Sequence, residues 1–144
     1  MIIDKVQAEE LAEIAEIEQL CFSHPWSEKS LCDTYNNGCS VFIAARDEKI
    51  LGYISAELML DECYILNVAV RPEYRRRGIG RLLVESLENN SEKELKFITL
   101  EVRASNEPAI LLYSTLGFEK VGVRKNYYSE PTEDAVIMTK TYNS

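Results

Sequence analysis

The run Arg75-Arg76-Arg77-Gly78-Ile79-Gly80-Arg81 carries the densest chemistry in the chain. It lies between an apolar stretch, Cys63 to Val70, and a segment whose apolar positions Ile79, Leu82, Leu83 and Leu87 follow helical spacing. Glycines at such a junction let the backbone turn tightly and approach a ligand. The unbonded N–H groups of a first helical turn, at the positive end of the dipole, suit a phosphate. Five of the eight arginines fall between Arg71 and Arg81, against one acid, Glu73, in a chain of net charge -8. The bland reading is a solvated basic turn with a glycine start. A Walker loop needs Gly-Lys-Ser/Thr, which is absent. A dinucleotide fingerprint needs a third glycine at position 83, which is Leu. RNA binding would want interleaved aromatics or a broad basic face, and neither is present.

Metal chemistry finds little support. Cys21, Cys32, Cys39 and Cys63 form no Cys-x-x-Cys pair, and His24 is the only histidine. Free, buried thiols in a reducing compartment are the expected state, with no metal.

The elements that must position the arginine loop can be read from the pattern. A chain of 144 residues, 46% hydrophobic and 28% charged, is long enough for one domain, 1–144, with a core that needs no staples. No apolar stretch approaches the roughly 20 residues that span a bilayer. The acidic, weakly apolar start is unlike a signal peptide, so a cytoplasmic address is expected. The negative balance argues against nucleic acid and anionic membrane as partners, since both are polyanions, and favours basic ones.

Residues 2–6 read as a first strand. Leu11, Ile14, Ile17 and Leu20 recur at spacings of three over 8–21, with Glu9, Glu10, Glu13 and Glu16 between them, which predicts a helix with an acidic outer face. His24-Pro25-Trp26 breaks it, and Ser27 caps a second short helix. Strand-like runs follow at 41–46, 50–60 and 63–70, then a helix to about Asn89. A strand over 96–103 precedes a helix opened by Asn106-Glu107-Pro108 and closed at Gly117. Strands at 118–127 and 134–142 complete the order β-α-α-β-β-β-α-β-α-β-β. The fold class is α/β, with a mixed central sheet of about seven strands and helices on both faces.

Arg75-x-x-Gly78-x-Gly80, after a strand ending Asn67-Val68-Ala69-Val70, resembles the coenzyme A loop of the GNAT family of N-acetyltransferases. The element order is similar to that family's fold along nearly the whole chain. Further segments resemble the bacterial branch that acetylates the N-terminal alanine of a small-subunit ribosomal protein. They are Pro25-Trp26-Ser27-Glu28-Lys29, Leu100 to Asn106, Leu112-Tyr113, Leu116-Gly117-Phe118 and Arg124-Lys125-Asn126-Tyr127-Tyr128.

The resemblance implies roles. Val68, Ala69 and Val70 would pair their backbone with the pantetheine arm of acetyl-CoA. Arg76, Arg77, Gly78, Ile79, Gly80 and Arg81 would wrap its pyrophosphate, and Asn106 would contact it. Glu101 would accept a proton and Tyr113 donate one. A strand bulge would free a backbone N–H near Val68 or Ala69 for the thioester oxygen. Trp26 and Tyr128 would line the groove for a basic protein N-terminus.

The residues themselves leave bland alternatives beside these roles. Glu101 sits in Phe97-Ile98-Thr99-Leu100-Glu101-Val102, a run suited to a sheet interior. Burial there would raise its pKa towards that of a useful base, whereas an exposed strand-end glutamate would not be so tuned. Tyr113 lies on the Ala109-Leu112-Tyr113-Leu116 face, as a core tyrosine also would. Taken alone, Trp26 reads as a core residue rather than a ligand contact. Tyr127 and Tyr128, adjacent on a strand, are expected to face opposite ways, leaving one for the groove. Transfer to lysine, a polyamine or another small amine is the second enzymatic reading. A non-catalytic acyl-CoA-binding module is the reading from another class.

Overall fold

The computed structural model describes residues 1–89 and 94–142, and its elements follow the expected order. They are β1 (Ile2–Lys5), α1 (Leu11–Cys21), α2 (Glu28–Tyr35), β2 (Ser40–Arg46), β3 (Ile50–Met59) and β4 (Glu62–Val70). After these come α3 (Ile79–Asn89), β5 (Phe97–Arg103), α4 (Glu107–Thr115), β6 (Glu119–Tyr128) and β7 (Glu133–Thr141). Short 3-10 turns at Ala8–Glu10 and Pro72–Tyr74 were not foreseen. The caps form where expected. Ser27 accepts from Ser30 N–H at 3.1 Å, Asn106 accepts from Ala109 N–H at 3.3 Å, and Gly117 has φ +99.

Seven strands form one sheet in the order β1-β2-β3-β4-β5-β7-β6. All neighbours are antiparallel except β4 and β5. Alternation along β2 separates two apolar layers. Phe42 and Ala44 pack with Leu11, Ile14, Ile17 and Leu31 of α1 and α2. Ile43 and Ala45 join Leu83 and Leu87 of α3 and Tyr113 and Leu116 at the end of α4. Helices therefore cover both faces. Among the described residues, no helix is long and apolar enough to cross a membrane.

The α1 stripe differs from the expected one. Leu11, Ile14 and Ile17 are buried, but Leu20 is 50% exposed and Glu18 is 1% exposed. A strict spacing of three falls behind the 3.6-residue turn, so nine residues carry Leu20 about 180° round the helix from Leu11. Seven residues return Glu18 to within about 20° of Leu11. The acids on the outer side are not merely solvated. Glu13 and Glu16 accept from the Arg71 guanidinium at 3.3 and 3.1 Å, and Arg71 Nε donates to Ile50 O at 2.7 Å.

The four cysteines carry no disulfide, but only Cys63 is fully buried, and burial pushes its thiol up to about 12. Cys21, Cys32 and Cys39 are half-buried, against the expectation that all four would be covered.

Candidate active site

The two strands at the centre of the sheet part company. β4 pairs with β5 only from Glu62 to Tyr64, against Phe97 to Thr99. Just beyond, Ser55 of β3 pairs with Asn67 while Ala56 pairs with Ile65. Leu66 is therefore an extra residue, and β4 bulges there, which bends the strand away from its neighbour. The sequence carried no sign of this bulge.

The bulge decides which backbone groups face the gap. Arg71 N–H donates to Leu51 O of β3 at 2.8 Å. Strand alternation turns Ala69 the same way, and a Cβ on Gly52 would stand 2.7 Å from Ala69 O. The N–H and C=O of Val68, and the N–H of Val70, turn the other way, into the gap. Val70 O already accepts from Cys21 Sγ at 3.3 Å and Arg75 Nε at 3.1 Å. Of the expected trio, Val68 and Val70 have backbone free to meet an extended ligand. Ala69 has its backbone turned to β3 and its side chain in the α1–α2 layer.

The basic loop follows directly. Leu82 N–H donates to Gly78 O at 3.1 Å, so Gly78 caps α3 and the N–H groups of Ile79, Gly80 and Arg81 precede the first intrahelical bond. Gly78 has φ +77 and nothing within 4 Å of the Cβ it lacks. That open space, beside the N-terminus of α3, is the candidate cradle for an anion. Gly80 differs, because its missing Cβ would touch Leu112 of α4 at 3.5 Å. A Cβ there would make only an ordinary contact, so the packing of α3 on α4 does not require the glycine.

The arginines divide as well. Arg71 is buried and held by Glu13 and Glu16, so it is a clamp between α1 and the sheet, not part of an anion site. Arg75 holds Val70 O, Arg77 lies over the Tyr74 ring at 5.2 Å, and Arg81 pairs with Glu85 at 3.2 Å. Among the described residues Arg76 alone of this group has no such contact, and it sits at φ +65, a rare setting for a non-glycine residue. Backbone strain of this kind collects at ligand sites. Open N–H groups, an empty cradle and an unpaired guanidinium together fit a diphosphate.

Glu101 and Tyr113 approach the gap from opposite faces. Ile98, Leu100 and Val102 of β5 bury in the α3–α4 layer, so Glu101 projects to the α1–α2 side. Its carboxylate is not buried as expected. The side chain is 31% exposed and Oε1 accepts from Arg124 Nε at 3.2 Å. The surrounding apolar residues belong to the other face, so the run does not enclose the carboxylate. Tyr113 is buried in the α3–α4 layer, and burial, with Tyr128 adding to it, pushes its hydroxyl up to about 12.

Tyr128 connects them. Burial raises its hydroxyl to about 12, and Tyr127 and Glu101 push in the same direction. It thus lies within electrostatic reach of both Glu101 and Tyr113. The Arg103 guanidinium stacks over its ring at 4.4 Å. The expectation that Tyr127 and Tyr128 would oppose each other fails, since their rings meet edge-to-face at 5.1 Å. The register of β6 against β7 jumps between Arg124 and Tyr128, with Asn126 at φ +52, and that irregularity cancels the alternation.

Asn106 spends its Oδ1 on the α4 cap, leaving the amide N–H groups for a ligand. Trp26 is half-buried: it packs against the α1–α2 layer, as the core reading expects, yet stays partly accessible, and its backbone N–H donates to Glu18 at 2.9 Å. Glu18 was missed altogether. Its signal was a carboxylate two helical turns after Leu11, on the inward stripe.

Comparison with known proteins gives a consistent result. The model of the acetyltransferase (GNAT) family matches residues 11–118. The chain is 37% identical over 139 residues to the [ribosomal protein bS18]-alanine N-acetyltransferase of Escherichia coli (strain K12), covering 94% of each chain. It is 35% identical over 141 residues to the enzyme of the same name from Haemophilus influenzae, covering 95% of this chain and 96% of that one. The crystal structure of the Escherichia coli ribosomal-protein-S18-alanine N-acetyltransferase superposes with a TM-score of 0.91 over 99% of this chain and 94% of that one, at 33% identity.

Proposed function

The chain belongs to the GNAT family of acetyltransferases, and from that premise we propose that it acetylates the N-terminal α-amine of an alanine-initiated protein, using acetyl-CoA. The observation that carries this reading is the likeness to bS18-alanine acetyltransferases along nearly the whole chain, acceptor segments included. The acceptor is a basic ribosomal-protein N-terminus, which suits the net charge of -8 and puts the reaction in the cytoplasm. All 144 residues act as one domain.

The diphosphate lies in the Gly78 cradle on the N–H groups of Ile79, Gly80 and Arg81, with Arg76 closing over it. Asn106 adds an amide donor. The pantetheine arm runs along Val68 and Val70, in the place a paired β5 would have filled. Backbone N–H groups beside the Leu66 bulge polarise the thioester oxygen. The acceptor enters from the α1–α2 side, between Trp26 and Tyr128.

In the reaction the amine nitrogen forms a bond to the acetyl carbon as the carbon–sulfur bond breaks. The amine proton passes to Glu101, directly or through water. An α-amine of pKa about 7.7–8.0 is roughly one-quarter neutral near pH 7.4. A lysine amine, at about 10.4, costs about 3 kcal/mol more to neutralise. A half-exposed carboxylate is an adequate base for the first amine and a poor one for the second. Tyr113 stays protonated and donates a hydrogen bond to the departing sulfur. Complete transfer from a hydroxyl near 12 to a thiolate near 8.5 is uphill by about 5 kcal/mol. Its contribution is therefore the hydrogen bond, made as negative charge grows on sulfur.

Two outcomes test this. Arg76→Ala is expected to weaken acetyl-CoA binding about tenfold, as for one lost charge-assisted contact, in calorimetry of the folded variant. Unchanged affinity would remove Arg76 from the site. The acceptor is tested with peptides of one basic sequence differing only in the first residue, plus an N-terminally blocked peptide containing lysine. Alanine is expected to react fastest, with glycine and serine slower but active, because a methyl group changes binding by only about 1–3 kcal/mol. Faster acetylation of the blocked lysine peptide would transfer the protein to the lysine reading.

A further inference from the structure

One buried charge has no part in the reaction just described. Glu18 of α1 is 1% exposed. Its Oε1 accepts from Trp26 N–H at 2.9 Å and its Oε2 from Tyr53 Oη–H at 2.8 Å. Asn67 Nδ2 donates to both oxygens at 3.3 Å. Burial raises the carboxyl above the usual carboxylate range, while the Trp26 and Tyr53 bonds pull it back. Ionised groups in such positions are costly, and an apolar side chain of similar size would pack beside Ile14 and Ile17 without that cost.

What the carboxylate does, and leucine cannot, is join three segments at one point. Trp26 belongs to the loop between α1 and α2. Tyr53 lies on β3. Asn67 is the residue after Leu66, the bulge of β4, and immediately before Val68. We propose that Glu18 is a positioning residue for the acceptor, holding the Trp26 loop in register with the β4 bulge. The loop forms one wall of the acceptor groove and the bulge presents the thioester oxygen's donors. Their spacing sets how the amine meets the carbonyl carbon, and small misplacements of reacting groups cost large factors in rate.

The inference rests on the acceptor reading of the Trp26 loop, and its effects are separable from those on the cofactor. The diphosphate loop is held by other groups, Arg71 on α1 and Arg75 on Val70 O. Loss of the Glu18 contacts leaves the diphosphate loop in place, so acetyl-CoA affinity should change far less than the KM of the acceptor.

The experiment compares Glu18→Leu, Glu18→Gln and Asn67→Ala with the wild-type protein. Glu18→Leu is expected to raise KM for the alanine peptide at least tenfold, with acetyl-CoA Kd within twofold of wild type. Hydrogen exchange at the Trp26 amide should quicken in the same variant while α3 is unchanged. Glu18→Gln keeps an acceptor for Trp26 N–H and should restore most of the KM and the amide protection. Asn67→Ala cuts the tie to β4, together with Asn67's contact to the Tyr53 hydroxyl, and leaves the Trp26 bond in place; it should give the same split at smaller size, which decides the matter if Glu18→Leu does not fold. The proposal is overturned if peptide KM stays at the wild-type value, if KM and acetyl-CoA Kd rise together, or if Glu18→Gln recovers nothing. Wild-type turnover of the alanine peptide, measured alongside, tests the functional reading itself. Trp26 exchange tests the positioning role whichever acceptor proves correct.

Discussion

Gly78→Val should fold and lose acetyl-CoA affinity by at least 10²-fold. Two effects act together. At φ +77 a β-branched side chain strains the loop, by about 1–3 kcal/mol for such outliers. The added methyl groups also enter open space beside the N-terminus of α3, where the proposed diphosphate would sit. Gly78→Ala adds one methyl and should lose less. Gly80→Ala meets only Leu112 at ordinary contact distance and should bind nearly normally. Calorimetry on folded variants checks the series. If Gly78→Val binds as wild type does, the cradle is not a diphosphate site.

The second large effect is on turnover. Glu101→Gln is expected to lower kcat on the order of 10²-fold, as for a lost general base, and Tyr113→Phe by a similar factor, about that of one hydrogen-bond donor lost from a developing anion. Their pH profiles should differ. Loss of the base is partly recovered at high pH, where the amine sheds its proton unaided, so Glu101→Gln should approach wild type as pH rises from 6 to 9. Tyr113→Phe removes a hydrogen bond to sulfur, which amine deprotonation does not replace, so its deficit should persist across that range. Near-normal rates for both variants over the whole range would make these residues structural.

Most of the architecture was legible because its signals are local. Ser27, Asn106 and Gly117 mark helix ends through their own side chains or backbone freedom, and each stands where it was expected. The loop at Arg75 to Arg81 was legible for the same reason, with both glycines and the charge in one short run. What escaped depends on partners distant in sequence. Nothing in Ile65-Leu66-Asn67 shows that one residue is surplus against β3, because a bulge exists only relative to the facing strand. Arg71 looked like its neighbours until Glu13 and Glu16 were placed beside it. The exposure of Glu101 was misjudged because apolar flanking residues describe the other face of a strand. Glu18 was hidden by counting in threes along a helix that turns in 3.6.

The short pairing between β4 and β5 gives the molecule an uneven mechanical seam. The strands β1 to β4 form one leaf and β5 to β7 another, and their backbones are laced together only at the Glu62–Tyr64 end. On the proposed reading, an extended arm lying against Val68 and Val70 would supply the missing lacing, and the sheet would be more complete with cosubstrate than without. The cosubstrate would then behave as a temporary strand, inserted at the start of each cycle and withdrawn with the product thiol. Such a sheet would take part of its cohesion from the supply of coenzyme A, by the mass action that stabilises any ligand-bound native state.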